Sequence, residues 1–218
     1  ITLTNVATAN ISGFIGTSNI GVGVENLTLT GAVATSLVSA TDLVTANITG
    51  ALDSDATLAT ADTAGPAITF NSQDLTTATV GGVVASVNAT SQANLESLTV
   101  TADFNGGALT VATNNDLVTL VTAGAKIGNV SITGNTDLEI VAFTHTTDLA
   151  PATTTPVAAA DKGATVTITG NTNMSSLTWS ADDVDSLTVT GNSQLETIDF
   201  TGLADGGTAT AVTVAINN

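Results

Sequence analysis

The sequence predicts an all-β fold, a right-handed parallel β-solenoid of about eight coils of roughly 21 residues each. Three observations predict it. A phrase recurs: V-S-I-T-G-N-T-D-L-E-I-V-A-F at 130–143, V-T-I-T-G-N-T-N-M-S-S-L-T-W at 166–179 and L-T-V-T-G-N-S-Q-L-E-T-I-D-F at 187–200. Within the phrase apolar and hydroxyl residues alternate, the period of a strand with one buried face. Between phrases the chain is rich in Thr, Gly and Asn and poor in Lys, Arg and Gln, so helix signals are weak.

The first apolar residue of the phrase sets the phase. It falls at Val87, Leu109, Val130, Val166 and Leu187, with spacings of 22, 21, 36 and 21. The long step is one period plus 15 residues. Upstream, the same phase extends to Leu27, Ile48 and Ile68, and downstream Val212 opens a last partial coil. The expected organisation is one solenoid domain over 1–218, with irregular coils over 1–86 and regular coils over 87–218, interrupted by a loop insertion at 144–164.

Each coil reads the same way. Leu187 and Val189 alternate with Thr188 and Thr190 and form a first strand. Gly191-Asn192 turns the chain. Leu195, Ile198 and Phe200 then point inward from a second short strand. Val, Ile and Thr dominate both strands, as β-branched residues do on a pleated surface.

The spacing V-x-x-L-x-V-x-x-N-x-x-L at Val184, Leu187, Val189, Asn192 and Leu195 resembles the core of a leucine-rich repeat. Ile127, Val130, Ile132, Asn135 and Leu138 repeat it. The continuation G-N-x-x-L-x-x-I-x-F is closer to the variant of receptor L-domains and of leucine-rich surface proteins of microbes. A second strand stands where ordinary leucine-rich repeats place a helix. The resemblance covers roughly 87–200 and implies an extracellular recognition or scaffold role.

Charge and composition bound the function. There are 19 acidic residues against Lys126 and Lys162, no Arg, and a net charge of −17. Such a chain lacks the cations that neutralise phosphates, which argues against nucleic acid and anionic membranes. No apolar run reaches the length of a membrane span. Without Cys, disulfide staples and zinc–thiolate sites are excluded. With no Tyr and only His145, few groups remain for acid–base or nucleophilic work. The chain is therefore not expected to be an enzyme; a carboxylate-dependent polysaccharide-cleaving β-helix is the weakest alternative. With no start Met and no signal-peptide pattern, it reads as a mature chain or a fragment.

Asn114, Asn135, Asn171 and Asn192 occupy one position of successive coils. Stacked amides there form a structural ladder that satisfies turn backbone groups otherwise buried unpaired; a ligand-binding row is the other reading. Thr110, Thr167 and Thr188, with Ser131, form one outward row, and Thr101, Thr133, Thr169 and Thr190 a second. Such a face suits glycan or ice binding, or is simply a strand surface. Calcium is the one candidate ion, since alternate carboxylates share Ca²⁺ through oxygen. Its first candidate ligands are Asp182, Asp183 and Asp185, and Asp53 and Asp55 form another acidic pair. Segment 144–164, with His145, Pro151, Pro156 and Lys162, is a candidate contact loop. Sequons at Asn10, Asn26, Asn47, Asn88, Asn129 and Asn173 are candidate glycosylation sites.

The expected function is structural and extracellular: a self-assembling subunit or domain of a microbial surface layer (S-layer), a filament or sheath, or an adhesin stalk. The expected partner is the chain itself, since Ile1-Thr-Leu-Thr and Val212-Thr-Val-Ala-Ile are strand-like ends without polar caps. The alternative is an adhesin, or an ice- or glycan-binding module using the Thr-rich face or the 144–164 loop.

Overall fold

The structure, a computed structural model, describes residues 2–3, 5–12, 19–20, 23–30, 37–38, 41–49, 67–104, 107–124, 127–144, 164–180, 184–201 and 212–214. Its strands, in chain order, begin with β1 (Thr2–Leu3), β2 (Thr8–Ile11), β3 (Asn19–Ile20), β4 (Asn26–Leu29), β5 (Leu37–Val38) and β6 (Thr45–Ile48). They continue with β7 (Ala67–Phe70), β8 (Thr77–Val80), β9 (Ser86–Thr90), β10 (Ser97–Val100), β11 (Ala108–Ala112) and β12 (Thr119–Thr122). The remainder are β13 (Asn129–Thr133), β14 (Ile140–Thr144), β15 (Ala164–Thr169), β16 (Ser176–Ser180), β17 (Val184–Thr190), β18 (Thr197–Thr201) and β19 (Val212–Val214).

All of these strands pair in parallel, as a chain that winds repeatedly in one sense requires. The even strands β2 to β18 form a nine-stranded sheet and the odd strands β5 to β19 an eight-stranded one; β1 and β3 pair separately. The architecture is a parallel β-solenoid with no helix among the described residues. About eight coils were expected, and these ladders differ little from that count.

The core lies between the sheets. Each regular coil contributes two inward residues from its odd strand, one from the turn and two from its even strand. One coil supplies Val130, Ile132, Leu138, Val141 and Phe143, all at most 2% exposed. The coil below supplies Leu109, Val111, Leu117 and Leu120, with Thr122 also buried. Burying a side chain of this size contributes about 2 kcal/mol. Phe143 stacks on Trp179 of the next coil, ring centroids 4.1 Å apart and planes 10° from parallel. Ile198 and Phe200, on the outermost even strand, are only partly buried, since no further even strand pairs with β18 among the described residues.

The phase set by the phrase is correct from Ile68 onward. Ile68, Val87, Leu109, Val130, Val166, Leu187 and Val212 are register partners in the odd sheet. It fails at Leu27 and Ile48, which lie in even strands and belong half a coil away. There Leu27 pairs with Ala46, and Leu29 with Ile48. The cause is a second long step: Thr76 donates to Val44 across 32 residues. Counting back at one period per coil crosses from one sheet to the other there.

Candidate functional site

The Gly-Asn turn is where sequence and chemistry meet. The Asn carbonyl accepts from the residue three positions on, so Leu138 bonds to Asn135 at 3.3 Å and Met174 to Asn171 at 3.1 Å. That turn drives the side chain inward, and Asn114, Asn135, Asn171 and Asn192 are all buried. Their amides stand in one column. The backbone N–H of Asn114 donates to Oδ1 of Asn135 at 3.0 Å, that of Asn135 to Asn171 at 3.0 Å, and that of Asn171 to Asn192 at 2.9 Å. Each Nδ2 also reaches back to a strand carbonyl of the preceding coil: Asn114 to Ala89, Asn135 to Val111, Asn171 to Ile132 and Asn192 to Ile168, at 2.8 to 3.1 Å. The backbone N–H and side-chain amide of Asn114, Asn135 and Asn171 are thereby paired inside the protein.

The column is longer than its asparagines. Gln92 N donates to Asn114 Oδ1 at 2.8 Å, and Ser72 N to Gln92 Oε1 at 2.9 Å. Gln92 Nε2 donates to the carbonyls of Phe70 and Thr90, and the Ser72 hydroxyl bonds the Leu43 carbonyl at 2.7 Å. Sequence reasoning missed both residues because it followed one residue type. The signal that finds them is position: each stands three residues before an inward Leu, at 75 and 95.

Beside the column runs a left-handed one. Gly134, Gly170 and Gly191 have φ of +64°, +70° and +66°. In the two coils before Gly134 the same place is held by Thr113 (φ 54°) and then Ser91 (φ 57°), a conformation that costs a residue with a side chain about 1–2 kcal/mol. Their hydroxyls meet at 2.9 Å on the surface.

Carboxylates ride on the same corner. Backbone bonds stack Glu25, Val44, Thr76, Glu96, Val118, Glu139, Ser175 and Glu196 into one row. From Thr76 to Glu196, Glu alternates with a neutral residue. Successive carboxylates thus lie two rungs, about 9.6 Å, apart, comparable to the screening length in physiological salt. A parallel row on the turn includes Asp137, Asn173 and Gln194, linked by Asn173 Nδ2 to Asp137 Oδ1 at 3.3 Å and Gln194 Nε2 to Asn173 Oδ1 at 3.1 Å.

The flat faces are different. On the odd sheet Thr110, Ser131, Thr167 and Thr188 fall in one outward row. Thr133, Thr169 and Thr190 form the second row, where Thr90 and Ala112 are the members below Thr133. Thr101 does not belong to it. It follows β10 at the far corner, its N–H on the Val80 carbonyl, because the alternation that suggested it continues from an even strand. On the even sheet Ile140 is exposed, at 44%, while Val118, at 37%, is exposed in the corner row between Glu96 and Glu139.

Asp182 and Asp183 lie outside the described residues, as do Asp53, Asp55, His145, Lys126, Lys162 and segment 145–163; Asp185 is placed only as a backbone position of β17. Among the described residues no three His, Cys, Asp or Glu side chains come together to hold a metal ion. Of the sequon residues, Asn10, Asn47 and Asn129 are exposed on strands. Asn26 accepts from the Thr45 hydroxyl at 2.7 Å and Asn88 from Thr90 at 2.6 Å, while Asn173 sits in the turn row. Comparisons with family models, with curated proteins and with solved structures found no match to this chain.

Proposed function

We propose that this chain is a structural rod of an extracellular microbial surface assembly, a surface layer, filament or sheath, or adhesin stalk, in which copies associate with one another. The observation that carries this reading is the buried amide column. It commits the coil's most distinctive polar side chains to holding one coil on the next and leaves a surface of Thr, Ser, Asn and Ala beside an acidic corner. Its resemblance to leucine-rich repeats and receptor L-domains of microbial surface proteins supports the same reading. The acidic corner supplies solubility. Electron microscopy and analytical ultracentrifugation of the concentrated protein, with calcium and with a chelator, test it. Ordered sheets, fibres or concentration-dependent oligomers are expected; a monodisperse monomer in both conditions overturns it.

A second reading is favoured by the in-register row Thr110–Ser131–Thr167–Thr188: a binding module for surface glycans or ice on the odd sheet. Replacing Thr167 and Thr188 with Lys abolishes such binding while leaving association intact; retained binding excludes that face.

A further inference from the structure

The outer face of the even sheet combines two properties that are apart elsewhere. From β2 through β16 its outward side chains carry no charge, in a chain with 19 acidic residues; Asp199 on β18 is the first carboxylate on it. Near its centre lies an apolar spot. Ile140, 44% exposed, stands in the outward row of the sheet beside its register partner Thr119. Val121 and Ala142, register partners beside them, are partly exposed. An apolar centre with a rim of hydroxyls and amides is the anatomy of an interface.

We propose that this face docks a second copy of the chain, the two rods lying side by side and parallel. The proposal rests on the self-associating reading above and names its surface. Charge permits the approach: two copies at −17 repel wherever carboxylates meet, and this face, like the outward positions of the odd sheet from β7 to β15, carries none from β2 to β16; the exposed Ile140 is what distinguishes it. Area sets the strength. The eight strands β2 to β16, about 4.8 Å apart and each presenting about 13 Å of length, give roughly 500 Å² per copy, at the weak end of specific interfaces. Charge also selects the direction. The row containing Glu96, Glu139 and Glu196 follows the edge where the even strands begin. Face to face, antiparallel rods lay that acidic edge on its equal. Parallel rods put the two edges on opposite sides, farther apart than the screening length of about 8 Å.

The chain has no Cys, so single cysteines report contacts cleanly. Thr28, Thr99 and Thr178 lie on β4, β10 and β16, near one end, at the centre and near the other end of the face. Thr28→Cys, Thr99→Cys and Thr178→Cys, each in the full chain, are treated with a short bismaleimide, and association is followed by sedimentation. Each variant is expected to link to its own copy, and Ile140→Lys to weaken association about tenfold or more with an unchanged melting curve. Self-linking at Thr99→Cys alone, with Thr28→Cys linking only to Thr178→Cys, overturns the parallel arrangement. Association that persists without any of these links, or that Thr167→Lys on the other sheet abolishes instead, overturns the face and leaves self-association standing. A monomer at every concentration overturns both.

Discussion

Asn135 and Asn171 are 36 residues apart, yet Asn135 N and Nδ2 both donate to Asn171 Oδ1 at 3.0 Å. Asn171 and Asn192, only 21 residues apart, make the same pair of bonds at 2.9 and 3.2 Å. The 15 extra residues leave the stacking of one coil on the next unchanged. What the coil conserves is the corner, and chain length between corners is free.

Asn135→Ala therefore removes an acceptor from Asn114 and a donor from the Val111 carbonyl, both inside the protein. Buried groups left unpaired cost about 1–3 kcal/mol each, so a loss of about 4 kcal/mol is expected in urea unfolding. Ser193→Ala, on the exposed side of the same corner, is expected to change stability by less than about 0.5 kcal/mol. Equal effects would mean the column does not hold the coils.

Two glycines separate strain from space. At Gly170 an added Cβ meets nothing nearer than 3.9 Å, so Gly170→Ala costs only the left-handed backbone, about 1 kcal/mol. At Gly107 it would lie 1.7 Å from the Ala85 carbonyl oxygen, so the corner of the preceding coil must move. Gly107→Ala is expected to lose about 3 kcal/mol or more, read as the difference in melting temperature between the two variants.

Trp179 holds the one buried side-chain nitrogen or oxygen without a hydrogen-bond partner among the described residues, its Nε1. Trp179→Phe removes that orphan and keeps a ring against Phe143. Its lost packing and relieved N–H offset each other, and stability within about 1 kcal/mol of the parent is expected. Trp179→Ala leaves a cavity and is expected to cost about 3–5 kcal/mol. Thermal melts of both, monitored by circular dichroism, decide it; a large loss in Trp179→Phe would show that the N–H is paired in solution.

Ser175 spaces Glu139 from Glu196 in the acidic row. Ser175→Glu places three carboxylates on adjacent rungs. At about 4.8 Å in water each like-charge contact costs about 1 kcal/mol. The variant is expected to melt lower than Ser175→Gln in dilute buffer and to converge with it in 1 M salt. A gap that salt leaves unchanged would trace the effect to size rather than charge.

The parts of the fold legible in the sequence are those where one residue type recurs at one place. Val87, Leu109, Val130, Val166 and Leu187 align as their spacing implies, because these inward positions of the odd strands are filled by apolar side chains. The amide column was legible at its four asparagines and hidden at Gln92 and Ser72, where a longer and a shorter side chain reach the same backbone groups by different geometry. Leu27 and Ile48 were misplaced because the early coils lack the Gly-Asn marker, and alternation alone does not say which sheet a strand joins. The exposed Ile140 left no sequence signal, since an apolar residue at an outward position looks like core until the register is known.

The amide column has a further consequence, for heredity rather than for stability. Each link joins a coil only to its neighbour, so no residue must know how many coils there are. A duplication or deletion of one whole unit, cut at any two of the corners from Asn114 to Asn192, returns every amide to a partner of the same kind. The rod is a ruler graduated in coils, and its length is a quantity that recombination can set one graduation at a time.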